Sequence, residues 1–249
     1  MTFQHTYPIW SKEGKSKTLT YRAVNVAIKS LAHILCRIDV AQLARVPERG
    51  PLIVVMNHIN FLDGPVVYTH LLPRQMTGFV KSEDLEHPFF GPLLIGLWEG
   101  IPLRRGEADT SAFRQALQAL KAGRILAVAP EGTRSGHGHL QQGHPGIAFL
   151  AVRSGVPVLP LACHGGETIW DNVPRLRRTD FHVIVGQPFH LDARGVKVTR
   201  HVRQKMTDEI MYQIAALLPP AYRGVYDMSA ATENYIRFAS GTKSNLVRA

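Results

Sequence analysis

The chain reads as an α/β protein with a mixed, mostly parallel central sheet flanked by helices and preceded by an N-terminal amphipathic helix. Three observations lead there. Short apolar runs recur at residues 52–56, 125–129 and 156–161, each the length and composition of a buried strand. Between them lie segments whose apolar residues repeat at helical spacing, and strand–helix alternation is the signature of an α/β sheet. The length, 249 residues, suits one large domain with its own core. There are no internal repeats and no low-complexity segments.

The elements follow in order. Over residues 18–38, Val24, Ala27, Ile28, Leu31, Ile34, Leu35 and Ile38 make one apolar helical face, with Arg22, Asn25, Lys29, Ser30, His33 and Arg37 opposite. Such a basic amphipathic helix packs on its own protein's core or lies in a lipid interface, where each cation beside an anionic leaflet adds about 1 kcal/mol. Pro47, Glu48, Arg49, Gly50 and Pro51 form a turn-rich break. This divides the chain into an N-terminal segment 1–46, an α/β domain 47–226 and a tail 227–249. The first strand is expected at 52–56, then a helix carrying Val66, Val67 and Leu71, and a short strand ending at Lys81. Residues 88–98 make an apolar helix, read as core or as the wall of an acyl-chain groove. Asp109, Thr110 and Ser111 start a helix that Gly123 ends. Another strand covers 125–129; a helix over 147–152, stopped at Gly155, leads to the strand at 156–161. A late strand is expected at 181–185 and a helix over 199–218, with residues 240–249 polar and frayed.

Chemistry gathers where two of these strands end. After the first comes Asn57-His58-Ile59-Asn60-Phe61-Leu62-Asp63. Five residues along a continuous helix turn through about 140°, so His58 and Asp63 meet only across a turn. A neutral imidazole whose second nitrogen is held by a carboxylate takes a proton from an alcohol near neutral pH. Asn60 and Asp63 also read as the start of a helix, and this does not exclude the catalytic role. After the strand at 125–129 comes Pro130-Glu131-Gly132-Thr133-Arg134-Ser135, in which Gly132 permits close approach of the backbone and Arg134 offers a fork suited to phosphate. A turn with Glu131 paired to Arg134 is the structural alternative.

On these residues the chain resembles the glycerolipid acyltransferases, the family typified by 1-acyl-glycerol-3-phosphate acyltransferase. The family's N-H-x-x-x-x-D motif matches Asn57, His58 and Asp63, and its E-G-T-R-S motif matches Glu131 to Ser135. Its arginine after a short strand looks like Arg105 or its neighbour Arg104, in Gly100-Ile101-Pro102-Leu103-Arg104-Arg105, and its V-P-x-x-P motif matches Val156 to Pro160. The resemblance implies transfer of an acyl group from acyl-CoA or acyl-carrier protein to the free hydroxyl of a lysophospholipid acceptor. In that picture His58 is the base and Asp63 its orienting group, the substrate hydroxyl is the nucleophile, and no acyl-enzyme forms. Arg105, Glu131, Gly132, Thr133, Arg134 and Lys81 then bind substrate. Where the family reads phenylalanine-lysine-x-glycine, this chain has Leu140-Gln141-Gln142-Gly143, so other lysolipid acceptors stay open. The groups that form the oxyanion hole are unassigned.

Composition bounds the partners. Lysine plus arginine exceed aspartate plus glutamate by 29 − 19 = 10, which favours anionic partners. A phosphorylated substrate and a membrane surface fit; nucleic acid is not expected, since no nucleic-acid-binding signature is present. Cys36 and Cys163, far apart, argue for a reducing compartment. With no apolar run long enough to span a bilayer and no apolar stretch near Lys12 and Lys15, the expected placement is peripheral, on the cytoplasmic side of the membrane. No cofactor or metal is expected: His137, His139 and His144 are close in sequence, but H-x-H ligation needs a third ligand, and a mobile loop over the acceptor is the competing reading. A metal-dependent hydrolase and an inactive membrane-binding protein are the alternative functions.

Overall fold

The computed structural model describes residues 19–86, 97–104 and 109–248. Helix α1 (Leu19–Leu35) leads into strand β1 (Cys36–Asp39). Then come β2 (Leu52–Met56), α2 (Asp63–Leu71), β3 (Met76–Lys81), β4 (Ile101–Leu103), α3 (Thr110–Lys121), β5 (Ile125–Val128), α4 (Gly146–Ser154) and β6 (Val158–His164). The chain continues through a single helical turn, α5 (Ile169–Asn172), to β7 (Thr179–Val185), β8 (Phe189–Leu191), α6 (Arg200–Ala215) and β9 (Ile236–Phe238). Among the described residues the strands form one sheet in the order β1-β7-β6-β2-β5-β3-β4, with β8 and β9 continuing from β6. Strands β6, β2, β5, β3 and β4 run parallel, as does the β1–β7 pair. The β6–β7, β6–β8 and β8–β9 pairs are antiparallel. The sheet is therefore mixed and mostly parallel, as the alternating pattern predicts.

The apolar runs are explained by helices on both faces of the sheet. Along β2, Ile53 and Val55 point into a core shared with α3, α4 and α6. Leu52, Val54 and Met56 point into a second core with α1 and α2. Local signals also work as read: Asp109 caps α3 by accepting from the Ala112 N–H at 3.0 Å, and Gly155, at φ 64°, ends α4.

Two regions differ from the expectations. The N-terminal helix ends at Leu35 rather than 38, because Cys36 to Asp39 are drawn into the sheet in parallel register with Thr179 to His182. Its buried side is centred on Tyr21, Asn25 and Ala32, with the Tyr21 hydroxyl 2.9 Å from that of Tyr68 and the Trp98 indole N–H donating to Asn25 at 3.4 Å. Asn25, expected on the polar face, is thus a core group, and Leu31 and Ile34 of the expected apolar face are exposed together with Leu19 and Val26. Beyond residue 226 the chain is not a loose tail. Strand β9 pairs with β8, and Asn245 is buried, accepting from the Gln187 N–H at 2.6 Å and donating to the Gln213 side chain at 2.9 Å. Of the apolar helix expected at 88–98, only Leu97 and Trp98 are described.

Candidate active site

Because β2, β3, β4, β5 and β6 are parallel, their carboxyl ends share one edge of the sheet, where open α/β folds place ligands. His58 leaves β2 there. Its Nδ1 lies 2.8 Å from Asp63 Oδ2, and the same oxygen accepts the backbone N–H groups of Ile59 at 2.7 Å and Asn60 at 3.0 Å. Asp63 is fully buried at the first position of α2, whereas the His58 side chain is 27% exposed. Asp63 therefore does both things the spacing allows. It reaches back to the Asn60 N–H as a helix-start carboxylate, and it holds the imidazole. With Nδ1–H donating to Asp63, the neutral ring leaves Nε2 as its basic nitrogen.

The turn is braced from both sides. Asn60 accepts from the Leu62 N–H at 2.9 Å and donates to the Gly166 carbonyl at 2.6 Å. Asn57 donates to the Cys163 carbonyl and accepts from the Cys163 N–H, both at 2.8 Å, so its side chain extends the β2–β6 ladder by one rung. From the β5 side, Glu131 Oε1 accepts the His58 N–H at 3.0 Å and Oε2 accepts the Gln141 N–H at 2.8 Å. The Ser135 and Gly136 N–H groups close the seam by donating to His58 and Ile59 carbonyls at 2.8 and 2.9 Å. Burial pushes the Glu131 carboxyl up from its ordinary value, against the two N–H donors that hold it down.

These distances redistribute the substrate-binding residues expected from the motif. Glu131 is buried and both its oxygens accept from backbone donors, which ties the His58 turn to residue 141, while Arg134 faces Asp84 instead. Gly132 sits at φ 67°, its N–H donates to the Ala129 carbonyl at 3.0 Å, and a Cβ there would meet the His144 ring at 3.0 Å. That N–H is spent on the turn, which removes it as an oxyanion donor. Thr133 and Arg134 are exposed beyond it. The Arg134 guanidinium is 3.9 Å from Asp84, and Lys81, at the end of β3, is 3.9 Å from Glu83. Both are long, solvated pairs that leave the cations available. Arg105 lies outside the described residues; Arg104, beside it, is exposed at the end of β4.

The segment after Ser135 is pinned, which differs from the mobile loop considered from its glycines. Leu140 is buried, its N–H donates to the Tyr222 carbonyl at 3.0 Å, and the Gly143 N–H donates to the Tyr226 hydroxyl at 2.9 Å. Gly224 makes this possible, since a Cβ at that position would lie 2.0 Å from the Leu140 carbonyl oxygen. His137 and His139 meet edge to face with ring centres 5.1 Å apart, and among the described residues no three histidine, cysteine, aspartate or glutamate side chains are grouped to hold a metal ion. A feature that sequence reasoning missed is the His164–His182 stack, with centroids 4.7 Å apart, beside Tyr222, whose hydroxyl donates to Glu167 at 2.5 Å. No local pattern marks it, because its members come from β6, β7 and the turn after α6.

A parallel sheet edge carrying a histidine held by a buried carboxylate, beside a turn that bears exposed cations, has the groups that general base chemistry requires. The Acyltransferase family profile matches residues 37–164, the stretch that contains His58, Asp63 and the 131–135 turn. The chain belongs to that family of O-acyltransferases. It is 26% identical over 190 residues to the 1-acyl-sn-glycerol-3-phosphate acyltransferase of Pseudomonas aeruginosa, covering 74% of this chain and 71% of that protein. A chloroplastic 1-acyl-sn-glycerol-3-phosphate acyltransferase of Brassica napus is 28% identical over 160 residues, 61% of this chain and 45% of the plant protein. The crystal structure of the 1-acyl-sn-glycerophosphate acyltransferase of Thermotoga maritima superposes with a TM-score of 0.55 at 25% identity, covering 76% of this chain and 77% of that one.

Proposed function

We propose that this protein transfers a fatty acyl group from a thioester donor, acyl-CoA or acyl-carrier protein, to the free hydroxyl of 1-acyl-glycerol-3-phosphate, giving phosphatidic acid. The observation that carries the reading is the 2.8 Å contact between His58 Nδ1 and the buried Asp63, which leaves Nε2 as a base at the sheet edge. Nε2 takes the hydroxyl proton as the oxygen attacks the thioester carbon. The resulting imidazolium is stabilised by Asp63, and collapse of the tetrahedral adduct expels the thiolate, which recovers the proton from Nε2. The substrate oxygen is the nucleophile throughout. Cys163 is no rival, since it is fully buried and its thiol is pushed far up by that burial.

Arg134 and Lys81, at the ends of the neighbouring strands β5 and β3, suit the acceptor phosphate, with Thr133 exposed beside Arg134; the motif match adds Arg105 to this set. The exposed Leu19, Val26, Leu31 and Ile34 of α1, flanked by Arg22 and Lys29, support peripheral seating on an anionic cytoplasmic leaflet. Among the described residues no helix is long and apolar enough to cross a membrane.

The test is a mass-spectrometric transfer assay with acyl-CoA and acyl-carrier-protein donors against a panel of lysolipids. His58→Ala lowers turnover by about 10²–10⁴-fold while the circular dichroism spectrum is kept, since a general base contributes a factor of that size. Arg134→Ala weakens selection of phosphorylated over unphosphorylated acceptors. Wild-type-like turnover by His58→Ala sinks the proposal.

A further inference from the structure

Leu176 stands where local chemistry favours another residue. It follows the helical turn Val173–Arg175 at φ 52° and ψ 34°, the left-handed region that glycine or asparagine takes at helix ends and that strains a branched side chain. The strain brings no packing inside the protein, because the side chain is 96% exposed. Six positions earlier, on α5, Trp170 is 66% exposed while its neighbour Ile169 is buried as the anchor of the segment. Strain together with outward-turned apolar bulk points to a partner outside the chain.

The surroundings identify that partner. Arg175, Arg177 and Arg178 bracket Leu176 and are exposed. Arg178 also donates to the His33 and Cys36 carbonyls at 2.7 and 2.6 Å, which ties the segment to the last turn of α1, beside the exposed Leu31 and Ile34. At its other end the segment reaches the catalytic turn. Trp170 packs on Phe61 with ring centres 5.1 Å apart, and the Gly166 carbonyl accepts from Asn60. Apolar side chains projecting between cations, in continuity with a second exposed apolar stripe and next to the His58 turn, match a surface with an acyl interior and anionic headgroups.

We infer that residues 169–178 are a second membrane contact, in which Leu176 and Trp170 enter an anionic bilayer and the flanking arginines meet its headgroups, seating the His58 turn at the lipid surface. This rests on the acceptor being a membrane lipid. A bilayer fits better than a soluble acidic protein because the exposed apolar groups continue those of α1, Leu31 and Ile34, whereas the concavity beside Leu176 carries the carboxylates of Glu167 and Asp180, which repel an acidic partner.

The experiment uses the full chain, with cosedimentation on phosphatidylcholine vesicles with and without phosphatidylglycerol, for wild type, Leu176→Asn and Trp170→Ser. Asparagine accepts the left-handed backbone, so Leu176→Asn keeps or raises the thermal midpoint. Partitioning onto the phosphatidylglycerol vesicles falls by roughly tenfold or more, the loss expected when one leucine no longer enters an apolar phase. Trp170→Ser falls in the same direction, and turnover of dispersed short-chain donor and acceptor without vesicles stays at the wild-type level in Leu176→Asn. Unchanged partitioning of Leu176→Asn overturns the inference. So does a loss of binding confined to acyl-carrier protein, or slowed turnover of the dispersed substrates. If the wild type acylates no lysolipid, the acyl-transfer reading fails on its own, and the vesicle measurement still decides this one.

Discussion

Replacing Glu131 by glutamine separates two roles for the first residue of the 131–135 motif. The carboxylate accepts the His58 and Gln141 N–H groups at 3.0 and 2.8 Å, and each such bond to a charged acceptor is worth about 1.5–3 kcal/mol. Glutamine keeps one oxygen and turns an N–H₂ towards the other donor, so one bond is lost and a buried N–H is left without an acceptor, a cost of about 2–3 kcal/mol. Against this, the variant no longer buries a charge, and the raised Glu131 carboxyl shows that burial outweighs the bonds it receives. The relief from burying a charge opposes the lost bond, so Glu131→Gln is expected to destabilise the fold by less than the about 2–3 kcal/mol that the unpaired N–H alone would cost. Catalysis has no such compensation. The backbone of His58 loses a tether, and displacement of a reacting group by a fraction of an ångström to 1 Å reduces kcat by about 10–100-fold, with KM nearly constant. Steady-state kinetics beside urea unfolding measures both. A raised KM at unchanged kcat would instead make Glu131 an acceptor ligand and refute the tethering role. The pH dependence has a definite sign. A raised folded-state value means that the native protein keeps a proton that the unfolded chain has released, so the contribution is full below the ordinary carboxylate value and is lost as pH rises through the raised one. The stability of wild type relative to Glu131→Gln therefore declines as pH rises through that window.

Three further outcomes follow from the same geometry. Asp63→Asn offers an amide in place of the oxygen that orients Nδ1–H, favours the tautomer with the proton on Nε2, and lowers kcat by about 10³–10⁴-fold in the transfer assay with little change in vesicle binding. Asn57→Ala leaves the buried N–H and carbonyl of Cys163 without partners and destabilises the protein by about 2–4 kcal/mol, read as a lower urea midpoint. Gly224→Ala places a methyl group against the Leu140 carbonyl oxygen in a left-handed turn at φ 55°, costs at least about 2 kcal/mol in thermal or urea unfolding, and frees the 137–143 loop to early proteolysis.

The parts of the site legible in the chain are those made by neighbours in sequence. The His58–Asp63 contact spans five residues, and once a strand ends before His58 and a helix begins at Asp63, the turn brings the two together whatever surrounds it. The caps of α3 and α4 were legible for the same reason. The hydrogen bonds of Glu131 are not legible in the chain, because a motif gives the residue and not the direction of its side chain. That direction depends on the His58 N–H, which is 73 positions away. The Asn57–Cys163 clamp joins positions 106 apart, a separation at which one sequence carries no pairing signal.

Periodicity and motif spacing alone thus determined the sheet type and the contact between His58 and Asp63 at the end of a strand, because local backbone geometry and the need to bury apolar runs leave few alternatives. Only the tertiary structure decided which side of α1 is buried, that residues 227–248 close the sheet and core, and that Leu176 is held outward in a strained turn. Each of those depends on what other parts of the chain have already covered. An apolar side chain has no preference for one buried surface over another until the packing around it is complete.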